Sequence, residues 1–276
     1  MTMTAAERLI NSEVLSLGPG VIADSIMHQQ RLDYERQILA DTSRSARNQM
    51  SEYSGTENLE IMVEAVNYNA FLVSLISNEA RIGETVLDFG AGIGTFAKAL
   101  ALKGHKVQCI EPDQRQRERI LQAGLIAYAD IRNLRDQSVD LLYSLNVLEH
   151  IEDDVAVLRA CYEKMKPGGR VLLYVPAFQV LYSSMDKLVG HCRRYTRGGL
   201  CEKMRLAGFE VVKNEYVDSA GFLASLLFKA FGSDSGIVNR RALIAYDRYA
   251  FPVSRLLDRV SNRLFGKNVL LLARRP

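Results

Sequence analysis

The chain has 276 residues, of which 48% are hydrophobic, and its 35 basic residues nearly balance its 32 acidic ones. That content can bury a substantial core, which excludes a largely disordered chain, and a net charge of +3 gives no broad basic field of the kind nucleic-acid binders carry. The four cysteines (109, 161, 192 and 201) form no CxxC pair and no metal-ligand spacing with the four histidines, so neither a metal site nor a disulfide framework is expected, and a reducing cytoplasm fits.

In chain order, residues 1–80 read as helix, broken at Gly18-Pro19-Gly20 and Ser54-Gly55, and are expected to form an N-terminal helical cap. The opening MTMTAAERLINSEV carries charges where a signal peptide needs an apolar centre. From residue 84 short apolar runs alternate with helical stretches: TVLDFG, TFAKALALKG, KVQCIE, DQRQRERILQAG, IAYAD, VDLLYSL, DDVAVLRACYEKMKPGG, RVLLYVP. That alternation predicts parallel βαβ units in one core domain over 81–276. A polar loop over 177–199 follows, then a helix at 198–207 and a strand at FEVVKNEYV. Residues 219–265 are again helical, and NVLLLARR reads as a last strand. The longest apolar stretch, AGFLASLLFKAF at 220–231, is too short to cross a bilayer.

The stretch VLDFGAGIGTF at 86–96 places Asp88, Gly90, Gly92 and Gly94 two residues apart where the first of these strands ends. In a doubly wound sheet ligands bind beyond the carboxyl ends of the strands, and a glycine turn there lets them approach the backbone. A tight turn with no ligand would have the same composition. Glu111, closing the next strand in VQCIEPD, is placed to accept hydrogen bonds from two ribose hydroxyls, which favours a nucleoside. The third glycine comes one residue too early for a dinucleotide fingerprint, and Asp88 would repel a pyrophosphate but attract an ammonium.

With DFGAGIG matching the D/ExGxGxG signature, the chain resembles the class I S-adenosylmethionine-dependent methyltransferases over about residues 80–215. The AD at 129–130, VDLLYSLNVLEHIEDD and MKPGGRVLLYVP match that family's third, fourth and fifth strands with their turns. The resemblance implies a Rossmann-like α/β fold, a seven-stranded and mostly parallel sheet with an antiparallel last strand. It implies S-adenosylmethionine as cofactor and S-adenosylhomocysteine as product. Asp88, Gly90, Gly92 and Gly94 would serve the methionine end, Glu111 the ribose and Asp130 the adenine, with Ile131 flanking the ring. Asn146 would lie beside the methionine moiety, and Tyr68 and Asn69 in NYNAF on a helix that closes over the cofactor. A sulfonium carries its own leaving group, so such an enzyme needs alignment and sometimes a base.

On the acceptor side, His150 in LEHIEDD is either a base or a structural residue. MDKLVGHCRRYT at 185–196 gathers Asp186, His191, Arg193, Arg194 and Tyr195, and resembles a bacterial methyltransferase subgroup with an LYSxxDxxxGHxRRY segment. Either this is a solvated loop closed by an Asp186–arginine ion pair, or it holds an anionic or polyhydroxylated acceptor, with His191 as base. The helical insert at 219–265 could wall an apolar pocket, form a homodimer or lie on a membrane. Methyl transfer to a small-molecule or lipid-like acceptor, with oxygen favoured as nucleophile, is the expected activity. A cofactor-binding enzyme that catalyses a rearrangement or cyclisation, and a non-catalytic S-adenosylmethionine sensor, are its rivals.

Overall fold

The computed structural model describes residues 60–231 and 239–276, all within one unit running from Met50 to Pro276. Residues 1–59 of the expected cap lie outside the described residues. Seven strands form one sheet: β1 (Thr85–Phe89), β2 (Lys106–Ile110), β3 (Ile126–Tyr128), β4 (Val139–Leu145), β5 (Met165–Pro176), β6 (Glu210–Val217) and β7 (Asn268–Arg274). Their order is β3-β2-β1-β4-β5-β7-β6. The first five pair in parallel, and β7 runs antiparallel to both β5 and β6. This is the sheet the family resemblance implies, down to the reversed last strand.

The strands read as continuous apolar runs because both faces are covered. On β5, Val171, Leu173 and Val175 join one core with Leu87 and Phe89, while Leu172 and Tyr174 join the other with Val86 and Tyr143. The first core is closed by Leu158 and Cys161 of α4 (Asp154–Lys164) and by Leu200 and Met204 of α6 (Arg197–Leu206). The second is closed by Leu72 and Ile76 of α1 (Val66–Glu79), Leu100 of α2 (Thr95–Leu102) and Ile120 of α3 (Gln114–Gln122). Helix starts follow local chemistry: Asp113, Asp153 and Thr196 each accept from a backbone amide three residues on. A short helix, α5 (Ser184–Leu188), opens with a capping box between Ser183 and Asp186.

The insert before β7 contains α7 (Ser219–Phe231), α8 (Arg240–Ala245), a π turn at Tyr246–Ala250 and α9 (Phe251–Ser261). It is tied down by three buried carboxylates. Asp247 accepts from the backbone amides of Asn67 and Tyr68, which caps α1 from outside its own segment. Asp258 accepts from the amides of Asp218 and Ser219 at 3.0 and 2.9 Å, and Asp218 from Gly221 and from the Ser254 and Tyr246 hydroxyls.

Candidate active site

Because β1, β2, β4 and β5 are parallel, the residues that close each of them gather at one edge of the sheet. Asp88 lies on β1, buried, in register with Tyr143 of β4 and Cys109 of β2. Its Oδ2 has no hydrogen-bond partner. Burial pushes its carboxyl up to about 7, with the Tyr143 hydroxyl pulling the other way and the charge of Glu111 adding to the rise. A buried carboxylate oxygen with no donor is costly, and a cation set against it would relieve that cost.

The turn after β1 is built on left-handed glycines, with φ of 81° at Gly90, 54° at Gly92 and 77° at Gly94. A side chain on Gly90 would meet not open space but Val147, whose Cγ1 would lie 2.6 Å from the new Cβ. The nearest obstacle at Gly90 is therefore the fourth-strand turn. At Gly94 the nearest neighbour of an added Cβ is Ile120 of α3, at 3.1 Å. Glu111 straps this turn to β2, its Oε2 accepting from the Gly92 amide at 2.6 Å and its Oε1 from Asp113 at 2.9 Å. Burial raises its carboxyl to about 7 against those two hydrogen bonds. Each oxygen keeps a second lone pair, so a ribose diol can still be accepted.

Asp130 follows β3 and is gripped by Arg132, whose Nε donates to Oδ1 at 2.9 Å and whose Nη2 donates to Oδ2. Ile131 beside it is buried in the core with Leu134. Asn146 stands past the end of β4 at φ 54°, its amide bonded to the Tyr174 carbonyl at 2.7 Å. Tyr68 lies edge-on to Tyr174 at 6.2 Å between centroids, and burial pushes its hydroxyl up to about 12, with Tyr174 and Asn146 pulling the other way. Helix α1 thus packs on β5 through Tyr68. Asn69 turns the other way, its side-chain amide donating to the carbonyls of Met62 and Val63.

The loop after β5 folds back onto the turn after β4, and its charges are largely used in doing so. Arg193 donates to the Ile151 and Glu152 carbonyls and to Asp154 at 2.7 Å. Tyr195 is buried, its hydroxyl donating to Asp154 at 2.8 Å with the Leu148 carbonyl 3.0 Å away, and Lys203 pairs with the same carboxylate. These two residues, expected on the acceptor, instead pin the loop. Arg194 forks onto Asp186 at 2.9 and 3.0 Å, the intraloop ion pair that was the alternative reading of this segment.

His191 is the remaining charged-loop residue, packed against the turn after β4. Its Nδ1 sits 2.6 Å from Asp186 Oδ1, its Nε2 faces the buried Glu149 carboxyl at 3.8 Å from Oε1, and its ring meets His150 edge-on at 4.6 Å between centroids. Burial works to raise the Asp186 carboxyl, but the His191 and Arg194 hydrogen bonds outweigh it and hold the group below the usual carboxylate range. Burial drives His150 down to about 4, aided by the charge of His191. Glu149 is fully buried with neither carboxylate oxygen hydrogen-bonded, and burial lifts it to about 8. Glu149, His150 and His191 offer ligand atoms within 4.8 Å of one another, a spread wider than the roughly 3.4 Å edge of a tetrahedral site with bonds near 2.1 Å. The donor set suits a divalent ion only if the side chains draw in. Sequence spacing missed this cluster because His191 arrives from a loop 41 residues beyond His150.

The sheet order, the acid-glycine turn and the second acid one strand over define the Rossmann-like S-adenosylmethionine-dependent methyltransferases as a class. The methyltransferase-domain family matches residues 51–214, and the chain belongs to it. The ubiquinone biosynthesis O-methyltransferase of Pseudomonas paraeruginosa is 33% identical, over 38% of this chain and 50% of that protein. That of Pseudomonas savastanoi pv. phaseolicola is 34% identical, over 32% and 43%. The chain thus spans about half the length, or less, of these curated relatives. Among solved structures, the complex of the Haloferax volcanii Trm112 methyltransferase activator with its methyltransferase matches with a TM-score of 0.59 at 16% identity, over 83% of this chain and 97% of that one. Haemonchus contortus phosphoethanolamine N-methyltransferase 2, solved with S-adenosyl-L-methionine, gives 0.53 at 20%, over 76% and 52%. At these identities the likeness is one of fold.

Proposed function

We propose that this chain methylates a hydroxyl of a lipid-like small molecule, with His191 as the base and Asp186 as the residue that positions it. The observation that carries this reading is the Asp186–His191 pair, folded back over the turn after β4 at the same sheet edge as Asp88 and Glu111. S-adenosylmethionine, when bound, supplies an electrophilic methyl on a sulfonium. Asp88 and the glycine turn would hold its methionine end, Glu111 its ribose, Asp130 and Ile131 its adenine, and Tyr68 and Asn146 would close over it. The unpartnered Asp88 oxygen fits a ligand that brings an ammonium and a sulfonium.

Asp186 fixes the imidazole by accepting from Nδ1, which leaves Nε2 as the acceptor of a hydroxyl proton. His150, held neutral by burial, adds an uncharged wall beside it. Arg193, Arg194 and Tyr195 then fix the loop and leave acceptor contact to other groups. The two relatives above are named for O-methylation in ubiquinone biosynthesis, which supports an oxygen nucleophile on an acceptor with lipid character. The deciding assay is release of S-adenosylhomocysteine with a panel of phenolic and polyprenyl-bearing acceptors. Turnover by the wild type and its loss in His191→Ala, with calorimetric cofactor affinity kept, is expected. Cofactor binding without release for any hydroxylated acceptor would reject methyl transfer, and undiminished turnover in His191→Ala would reject the base.

A further inference from the structure

Helix α9 is amphipathic the wrong way round for a helix facing water. Its buried side carries Ser254, Asp258 and Ser261 beside Phe251, while its outward side carries Val253, Leu256, Leu257 and Val260, followed by Leu264 in the next turn. Leu256 is 61% and Val260 80% exposed. The polar side has a reason to be inside: Asp258 caps the start of α7, and Ser254 donates to Asp218 while accepting from the Ala220 amide. These bonds fix the rotation of α9, so it cannot roll to bury its leucines without orphaning the buried carboxylates.

Charge is sorted in the same sense. Among the described residues of 218–267, the acids are Asp218, Asp247 and Asp258, and all three are buried and bonded. Arg241, Arg248, Arg259 and Arg263 are exposed. Arg255, Arg259 and Arg263 recur every four residues along one flank of the apolar strip, the first over the Phe71 ring and paired with Asp258. We propose that α9 lies in the plane of an anionic lipid bilayer, its Val253–Val260 strip among the acyl chains and the Arg259 and Arg263 guanidiniums at the phosphates. No helix among the described residues is long and apolar enough to cross a membrane, so the contact is one of lying on it. A second copy fits less well in an antiparallel pair, where a two-fold contact would set one arginine row against another, and a parallel pair would leave both rows without an acidic partner. The docked helix is also next to the site. Phe251 packs edge-on against Tyr68 at 5.5 Å between centroids, and Tyr68 lies edge-on to Tyr174 of β5 at 6.2 Å.

A lipid-like acceptor gives this docking its purpose, so the inference rests on the proposed function to that extent. Its test needs neither cofactor nor turnover. The full chain is sedimented with vesicles of phosphatidylcholine alone and of phosphatidylcholine mixed with phosphatidylglycerol. Binding to the mixed vesicles, at least about tenfold weaker on the neutral ones and weakened by salt, is expected. Leu256→Gln with Val260→Gln, and separately Arg259→Gln with Arg263→Gln, should each lower binding about tenfold or more without changing Tm. A wild type left in the supernatant, or variants that bind equally well, would overturn the proposal. So would an apolar-face variant that dissolves a dimer in light scattering, or lowers Tm, while vesicle binding is unchanged; these outcomes assign the face to a second copy or to another part of this chain. Failure of cofactor binding in calorimetry would strike the methyltransferase reading alone.

Discussion

Asp88 concentrates the residue-scale argument, because its carboxyl is buried with one oxygen unpartnered and burial pushes it up to about 7. Asp88→Asn should weaken S-adenosylmethionine binding by roughly 10- to 100-fold, the loss of one charge-assisted contact, while leaving the free protein as stable or more so. Calorimetry and thermal melts check the two halves, and unchanged affinity would remove Asp88 from the methionine end. Gly90→Ala fails for another reason: it forces a Cβ into Val147 and a side chain onto φ 81°. A loss of about 1–3 kcal/mol from the clash and about 1–2 from the backbone is expected. Val147→Ala in the same chain should restore the first part only, as read by urea unfolding. DFGAGIG makes the turn legible from sequence because both the acid and the φ > 0 positions are local. That Val147 would crowd Gly90 was not legible, since the contact joins two strand ends separated by 57 residues.

At the scale of elements, the segment after β5 is a pinned loop with one side chain left over. Asp154 receives Arg193, Lys203 and Tyr195, and burial, which would raise it, is outweighed by those three so that it sits low. Asp154→Ala should cost about 2–4 kcal/mol, less than a wholly buried pair because both cations reach solvent, and it should loosen the 183–195 loop with the fold intact. His191→Ala should differ in its main effect: kcat lower by about 10²–10⁴ with cofactor affinity kept, and a stability loss of only about 1–2 kcal/mol from the Asp186 hydrogen bond, since Arg194 still pairs that carboxylate. A joint loss of Tm and cofactor affinity in His191→Ala would make this histidine structural too. The charged residues of MDKLVGHCRRYT were visible as a group, but their partners were not. An arginine beside a histidine looks the same in sequence whether it faces a ligand or, like Arg193, the carbonyl of Ile151. The βαβ alternation was readable because covered parallel strands leave unbroken apolar runs. The inverted face of α9 was hidden because a leucine stripe at helical spacing does not say which side is inward.

For the whole molecule, protonation should link the site to stability. Asp88, Glu111 and Glu149 are raised by burial to about 7, 7 and 8, above their ordinary values of 3.8, 4.5 and 4.5. Between those limits the folded chain binds more protons than the unfolded one, so stability falls as pH rises and is regained as pH falls. His150, depressed to about 4, acts oppositely: its neutral form is favoured by the fold, and its contribution is lost as pH drops from about 6.5 towards 4. Asp154 and Asp186, both lowered, add stability above their unfolded values that disappears in stronger acid. The window from about pH 9 to 6.5 is therefore governed by the three raised acids, and the free protein should melt progressively higher as pH is lowered across it. A bound cation holds Asp88 ionised, so S-adenosylmethionine should release protons on binding near pH 7 and lose affinity below it. Calorimetry in buffers of different ionisation enthalpy measures that release directly, and melts from pH 9 to 6.5 with and without S-adenosylmethionine should show a shallower slope for the bound protein. Identical slopes and a buffer-independent binding heat would mean that Asp88 does not change protonation when the cofactor binds, and would leave its unpartnered oxygen without the cationic ligand assigned to it.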